Sequence, residues 1–319
     1  MRREGLNPAA VIFGLFLAFA SALLGTVWVS SRCGRDFAPP AAWGTAPLRQ
    51  SSSEEGPQKA PWSYQRIKRV GADDSAQYGF SAFNGDRLTI SYRVPDWAVQ
   101  SDENSFGYRM GTLKKIEKEC AALARRGLVD CRKREANYLA SHGFKIIQDH
   151  VTMADIPLLA REHAAFFRPV AKAFQAIAEK KHYDSGALLG AVTSLVQIGM
   201  IYKNAPLLRR GRQTGAVLPP AAAMAKGWGN CASKTAIAAA ILMNWPQMRL
   251  IGVNPPGHYL FAVLRLPERG DRFISYKGLR YVLTEAAGPA WLPPGSVYET
   301  TAAFLDTLDG VRVEPFFKE

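Results

Sequence analysis

The chain has 319 residues, of which 48% are hydrophobic and 11% aromatic. This composition supports a packed core and excludes a chain that is disordered throughout. The formal net charge of +13 favours contact with anionic surfaces, such as lipid headgroups or acidic glycans of a cell envelope. The sequence shows no nucleic-acid-binding motif and no Cys/His cluster with metal-ligand spacing. We therefore expect no nucleic-acid partner, no metal and no other cofactor.

The first segment predicts a membrane anchor. Residues 1–8 form a short tail with Arg2 and Arg3, and residues 9–29 carry no charge. Such a run is long enough to cross about 30 Å of hydrocarbon as a helix, and the two arginines favour a cytoplasmic N-terminus. One alternative is a cleaved signal peptide with "ASA" at 20–22 as its processing site, and another is a buried soluble helix. If residues 9–29 are an uncleaved anchor, we expect a single-pass inner-membrane protein with most of the chain on the periplasmic side.

Two regions follow the anchor. Residues 30–74 are rich in Pro, Ser, Gly and Ala and predict a linker. Residues 75–169 predict a mixed region, with a strand at 87–94 after an Asn84-Gly85 turn. Residues 107–140 predict two helices broken near Gly127. Pro169 is expected to kink or divide the helix that begins after Asp155.

Cys120 and Cys131 are candidates for a disulfide. On one straight helix their Cα atoms would lie about 16 Å apart, which is too far for a bridge. A turn at Gly127 would form a helical hairpin and bring them together. In an oxidising compartment a disulfide between them is then expected.

The third region, residues 170–300, predicts the core of the protein. A helix is expected at 185–202 and another from Cys231 to about Asn244, followed by strands at 248–253, 258–266, 272–276 and 280–285. Residues 301–319 are expected to be a tail. A helical segment followed by a helix on an antiparallel sheet is an α+β architecture.

Three residues of this core could form a nucleophilic site. Cys231 follows Gly227 and Gly229 at the start of a helix, where the helix dipole stabilises a thiolate. His258 begins a strand and Glu285 ends one, so the three could serve as nucleophile, base and orienting acid. Each of the three, considered alone, has an ordinary structural interpretation: a buried cysteine, a surface or core histidine, and a solvent-facing glutamate. Asp271 is a rival acid, and Glu285 reaches His258 only if strand 280–285 pairs directly beside the histidine strand.

Three stretches resemble the core of the bacterial transglutaminase-like family, which has the papain-like cysteine-peptidase fold. They are "GWGNCASKTAIAAAIL", "PPGHYLFAV" and "RYVLTEAAGP", and the resemblance covers about residues 170–300. It implies that Cys231 is the nucleophile, His258 the base and Glu285 the third member. The family more usually has Asp at the positions of Asn230 and Glu285.

The resemblance also suggests residues around the triad. An acyl-transfer site needs an oxyanion donor, and Gln197 lies at about the distance before the cysteine where relatives place one. Tyr202 is the alternative donor. Trp228 and Asn230 are expected to line the cleft.

The pattern predicts a membrane-anchored cysteine enzyme that acts on amide bonds in a protein or peptide substrate. If water accepts the acyl group the enzyme is a peptidase or amidase, and if an amine accepts it the enzyme is a transglutaminase. The alternative is a catalytically inactive module of the same fold that binds or assembles at the cell envelope.

Overall fold

A computed structural model describes residues 61–124, 130–148, 151–288, 291–308 and 310–317. The expected tail at 1–8 and the expected membrane helix at 9–29 lie outside these residues. Within the described ranges, no helix has both the length and the apolar character that a membrane crossing requires.

A three-stranded antiparallel sheet begins the described chain. Its strands are β1 (Ser63–Val70), β2 (Asp73–Ser81) and β3 (Arg87–Val94), in that spatial order. The linker expected to extend to residue 74 is therefore wrong from Ser63 onward, where backbone pairing with β2 overrides a polar composition. In β3 every second side chain is buried, as the alternating pattern predicts. The turn at Asn84-Gly85 is confirmed, with Gly85 at φ +86°.

Three helices and a hairpin follow. They are α1 (Asp96–Ser105), α2 (Met110–Ala124), α3 (Cys131–Ala140), β4 (Phe144–Gln148) and β5 (Val151–Ala154). Cys120 in α2 and Cys131 in α3 form the expected disulfide, with their Cα atoms 5.4 Å apart. The expected turn at Gly127 lies outside the described residues.

The helices that surround the later site are α4 (Ile156–Ala164), α5 (Arg168–Lys181) and α6 (Ser185–Ser194). Pro169 divides α4 from α5, because proline fits the first turn of a helix and not its interior. The helix expected at 185–202 ends earlier, since α6 passes into a π-helical turn at Leu195–Gly199. That turn leads into the short strand β6 (Ile201–Tyr202).

The segment before the cysteine is short and irregular. It contains β7 (Leu208–Arg209), β8 (Arg212–Gln213), α7 (Pro220–Lys226) and β9 (Trp228–Gly229). Then comes the cysteine helix, α8 (Cys231–Leu242), all 12 residues of which are buried. An alanine-rich helix can be buried on every side because its small side chains let neighbouring elements approach closely.

A five-stranded antiparallel sheet packs beside α8. Its strands are β10 (Leu250–Asn254), β11 (Leu260–Leu264), β12 (Phe273–Tyr276), β13 (Leu279–Thr284) and β14 (Arg312–Pro315), in the spatial order β12-β13-β11-β10-β14. β13 pairs directly with β11, with Phe261 opposite Thr284. The pairing on which the choice of Glu285 depends is thus confirmed.

The C-terminal residues are not a tail. Helix α9 (Glu299–Thr307) is followed by β14, which forms an edge of the five-stranded sheet by pairing with β10. The expected core boundary at residue 300 is therefore wrong. One hydrophobic cluster also runs from Ala76 to Phe316, so the N-terminal sheet shares the core of the cysteine helix and the region expected at 75–169 has no separate core.

Candidate active site

Cys231 lies at the first turn of α8, in the position that the sequence predicts. Two backbone features hold this end of the helix. Gly227 ends α7 at φ +71°, and β9 then pairs in parallel with β6. Cys231 is fully buried and carries a reduced thiol. The dipole of the helix, which is positive at its first turn, stabilises negative charge at this sulfur.

Asn230 caps the helix and does not line a cleft. Its Oδ1 accepts from the backbone N–H of Ser233 at 3.0 Å, and its Nδ2 donates to the carbonyl of Ala216 at 2.9 Å. The side chain has no exposed surface. An aspartate could make the first bond but has no proton for the second, so the asparagine satisfies both neighbours.

A tight turn positions His258. The backbone N–H of His258 donates to the carbonyl of Pro255 at 3.1 Å, and Gly257 between them has φ +75°. This is the geometry of a type II turn, which requires glycine at that position. The carbonyl of His258 accepts from Nδ2 of Asn254 at 2.7 Å, so both backbone groups of the histidine are held.

Glu285 contacts the histidine ring directly. Nε2 of His258 lies 2.8 Å from Oε2 and 3.0 Å from Oε1 of Glu285. Oε1 also accepts from the backbone N–H of Ala287 at 3.0 Å. Both side chains are buried, with His258 1% exposed and Glu285 0%. The ring is therefore fixed at Nε2, which leaves Nδ1 as the nitrogen for the thiol.

Electrostatics favour a protonated imidazole. Burial by itself lowers the pKa of His258, but the charge of Glu285 and a hydrogen bond with the Cys231 side chain outweigh it and raise the pKa to about 10. An imidazolium between a thiolate and a carboxylate is the charge state that activates a cysteine nucleophile.

Gln197 does not have the oxyanion role expected for it. Its Nε2 donates to the carbonyls of Glu285 at 2.7 Å and Leu292 at 2.9 Å, and its Oε1 accepts from the N–H of Leu292 at 3.0 Å. Both amide hydrogens are thus used on backbone. Gln197 instead links the chain after Glu285 to the π-helical turn by hydrogen bonds. The two segments lie so close together that a Cβ at Gly288 would be 2.0 Å from the Gln197 carbonyl oxygen.

The other candidate residues lie at different places. Trp228 is partly buried, and the ammonium of Lys203 lies 5.0 Å from its ring centroid. Asp271 is held by Arg265 at 2.8 Å and by the N–H of Glu268 at 3.0 Å, in the turn before β12. The rival acid is therefore bound elsewhere. Tyr298, which had no predicted role, packs edge-on against the His258 ring with centroids 6.4 Å apart.

Lys234 was also outside the sequence-based prediction. It lies one turn after Cys231 and is fully buried. Its ammonium donates to the carbonyls of Met200 at 2.8 Å and Gln197 at 3.2 Å. The sequence did contain a signal for this residue, namely a lysine within an otherwise apolar stretch. A lysine is almost never fully buried without a partner, so such a position indicates a specific contact.

The site is closed in this structure. Cys231, His258 and Glu285 together expose almost no surface, so a substrate reaches the sulfur only after neighbouring atoms move. Among the described residues no group of His, Cys, Asp and Glu could hold a metal ion. Comparison with protein-family models, curated proteins and solved structures produced no match.

Proposed function

We propose that this protein is a cysteine acyl-transfer enzyme acting on amide bonds. The observation that carries the proposal is the buried contact of His258 with Glu285 on one side and with the Cys231 thiol on the other. The base thus contacts both the nucleophile and the orienting carboxylate, as this chemistry requires.

The reaction has two halves. The Cys231 thiolate attacks the amide carbonyl, and the tetrahedral oxyanion is stabilised by backbone N–H groups at the start of α8. His258 gives its proton to the departing amine, and the C–N bond breaks to leave a thioester. Neutral His258 then takes a proton from the incoming water or amine. That nucleophile displaces the thiolate, which regenerates the starting charge state.

The resemblance to the transglutaminase-like family supports the same class. In the chain, the cysteine helix is followed by strands β11 and β13, with His258 two residues before the first and Glu285 directly after the second. We assign the core to a papain-like arrangement on this basis. A protein or peptide substrate, an N-terminal membrane anchor and a periplasmic location belong to the same proposal.

A second function is favoured by the closed site. With Cys231 and Glu285 at 0% exposure, the fold could serve as a binding or assembly module that retains the triad as part of its core. The two functions differ in one chemical property, namely whether an acyl group is ever transferred to Cys231.

The test is to incubate the full-length protein with a glutamine-containing peptide, with and without a primary amine. Ammonia leaves glutamine when the thioester forms, whichever acceptor follows, so it reports acylation only. Conversion of glutamine to glutamate, or a cleaved peptide, indicates hydrolysis, and incorporation of the amine indicates transamidation. Intact-mass analysis after acid quench detects the thioester. If wild type and Cys231→Ala behave alike in all three measurements, the protein is not an acyl-transfer enzyme on such substrates and the binding module is favoured.

A further inference from the structure

A buried cation adjoins the proposed triad. Lys234 belongs to the same helix as Cys231, three residues further on, and its side chain has no exposed surface. Its ammonium donates to the carbonyl of Met200, directly after the π-helical turn, at 2.8 Å and to that of Gln197, within the turn, at 3.2 Å. It also lies 5.8 Å from the ring centroid of Tyr202, within the range of a cation–π contact.

The ionisable groups that act on this ammonium come from two elements. Burial lowers the pKa of Lys234 to about 7, while the charges of Glu285, at the end of β13, and Cys231, on α8 itself, oppose that shift. His258 touches both of these groups, and Tyr202 on β6 presents its ring. Burying a lone ammonium is costly, so a lysine kept here points to a negative charge that it offsets.

The charges of the activated site identify the negative charge that Lys234 offsets. A thiolate at Cys231 and a carboxylate at Glu285 are two negative charges, and the imidazolium of His258 is one positive charge. Without Lys234 the dry site holds one negative charge in excess. With Lys234 protonated the four groups are neutral together, and the attraction between the ammonium and the negative groups offsets part of the cost of a buried thiolate.

We propose that Lys234 is an electrostatic positioning residue of the Cys231 site, whose buried ammonium sustains the thiolate. The inference rests on the proposed function, because it assumes that Cys231 is activated as a thiolate. Lys234 does not touch substrate atoms in this role. It acts through the charge balance of the triad and through the π-helical turn that it holds in place.

A purely structural role is the competing explanation, since the two carbonyl bonds alone could justify the lysine. Two substitutions separate the explanations. Lys234→Gln keeps N–H donors and removes the charge, whereas Lys234→Met keeps a similar apolar length and removes both. The charge explanation predicts the same shift of the thiolate pKa in both variants, and the structural explanation predicts that the glutamine restores wild-type behaviour.

The experiment is a pH titration of the ultraviolet thiolate absorbance of the full-length protein, with Cys231→Ser as the blank. The method needs no reagent to enter the closed site. We expect an apparent thiolate pKa in wild type well below the ordinary value of about 8.5. We expect both Lys234 variants to raise it by about one unit, equivalent to about a tenfold smaller thiolate fraction. Lys203→Met is the matched control, because that exposed lysine lies near Trp228 and is screened by water.

The outcomes distinguish the two proposals. An ordinary thiolate pKa in wild type would overturn the proposed enzyme. A low pKa in wild type that both Lys234 variants retain would overturn only the role of Lys234. If the Lys234 variants do not fold, the pKa of Lys234 itself can be measured instead, by NMR of labelled lysine. Because the coupling between two sites is reciprocal, Cys231→Ser should lower that pKa. An unchanged lysine pKa there would also overturn the charge role.

Discussion

His258 and Glu285 are joined across the paired strands β11 and β13, with Nε2 of the histidine 2.8 Å from Oε2 of the carboxylate. They are 27 positions apart in the chain, and both are buried. The contact exists because the end of β13 lies beside the start of β11 in an antiparallel pair. The same contact gives the imidazole its orientation.

Replacing Glu285 by Gln should reduce turnover by two to four orders of magnitude, roughly the loss seen when the acid of such a triad is neutralised. The amide can still accept from Ala287, so the loop is kept, but it no longer stabilises an imidazolium. Steady-state kinetics on the active substrate would measure the loss. Glu285→Asp is the control, since it keeps the charge and should retain more activity than the Gln variant. Equal turnover in wild type and Glu285→Gln would contradict the role of the carboxylate.

The pH dependence of stability should follow His258. Its pKa in the folded protein is raised to about 10 from an ordinary 6.5. A raised pKa means that the contribution to stability is complete below 6.5 and is lost as the pH rises through about 10. Denaturant unfolding across this range should show wild type losing stability relative to Glu285→Gln. Parallel curves for the two proteins would show that the ion pair does not titrate in this window.

Gln197→Met should destabilise the protein by about 2 to 4 kcal/mol, because one buried backbone group, at Glu285, and two partly buried ones, at Leu292, lose the bonds that Gln197 makes. We expect the segment after Glu285 to loosen and activity to fall with it. Urea unfolding measures the change. Gln77→Met is the matched control, because its amide makes one exposed contact with Ser91, and it should change stability by less than about 0.5 kcal/mol.

Asn230→Asp tests why an asparagine precedes the cysteine. The aspartate retains the cap on Ser233 but places its second oxygen against the Ala216 carbonyl, so we expect a loss of about 1 to 2 kcal/mol. Asn230→Ala loses the cap as well and should cost at least as much. Thermal denaturation of the three proteins at one pH would check the order. A more stable Asp variant would show that the Ala216 bond contributes little.

Removing the disulfide by Cys120→Ala with Cys131→Ala should lower the free energy of unfolding by about 3 kcal/mol, as expected for a short closed loop. The bridge links α2 to α3, and none of the hydrogen bonds that hold Cys231, His258 and Glu285 in the described residues involves these two helices. We therefore expect kcat to persist at low temperature. A reductant should destabilise wild type and leave the double variant unchanged. If the reductant affects both alike, the bridge is not the source of the stability.

Much of the fold could be predicted because it depends on local chemistry. The alternation in β3, the proline in the first turn of α5 and the Asn84-Gly85 turn, where Gly85 has positive φ, are short-range signals. The stretch at 63–74 and the C-terminal β14 were mistaken for linker and tail. Their strand structure comes from pairing with distant partners, which composition does not reveal.

For the candidate site, the sequence by itself determined which side chains are available and which local geometry presents them. Cys231 starts a capped helix and His258 follows a glycine turn because nearby residues dictate both. Only the tertiary structure decided that Glu285 contacts His258, that Gln197 hydrogen-bonds to backbone groups, and that Lys234 is buried beside the triad. Those three outcomes depend on which distant backbone groups need hydrogen-bond partners after burial, and that is settled by the packing of whole elements.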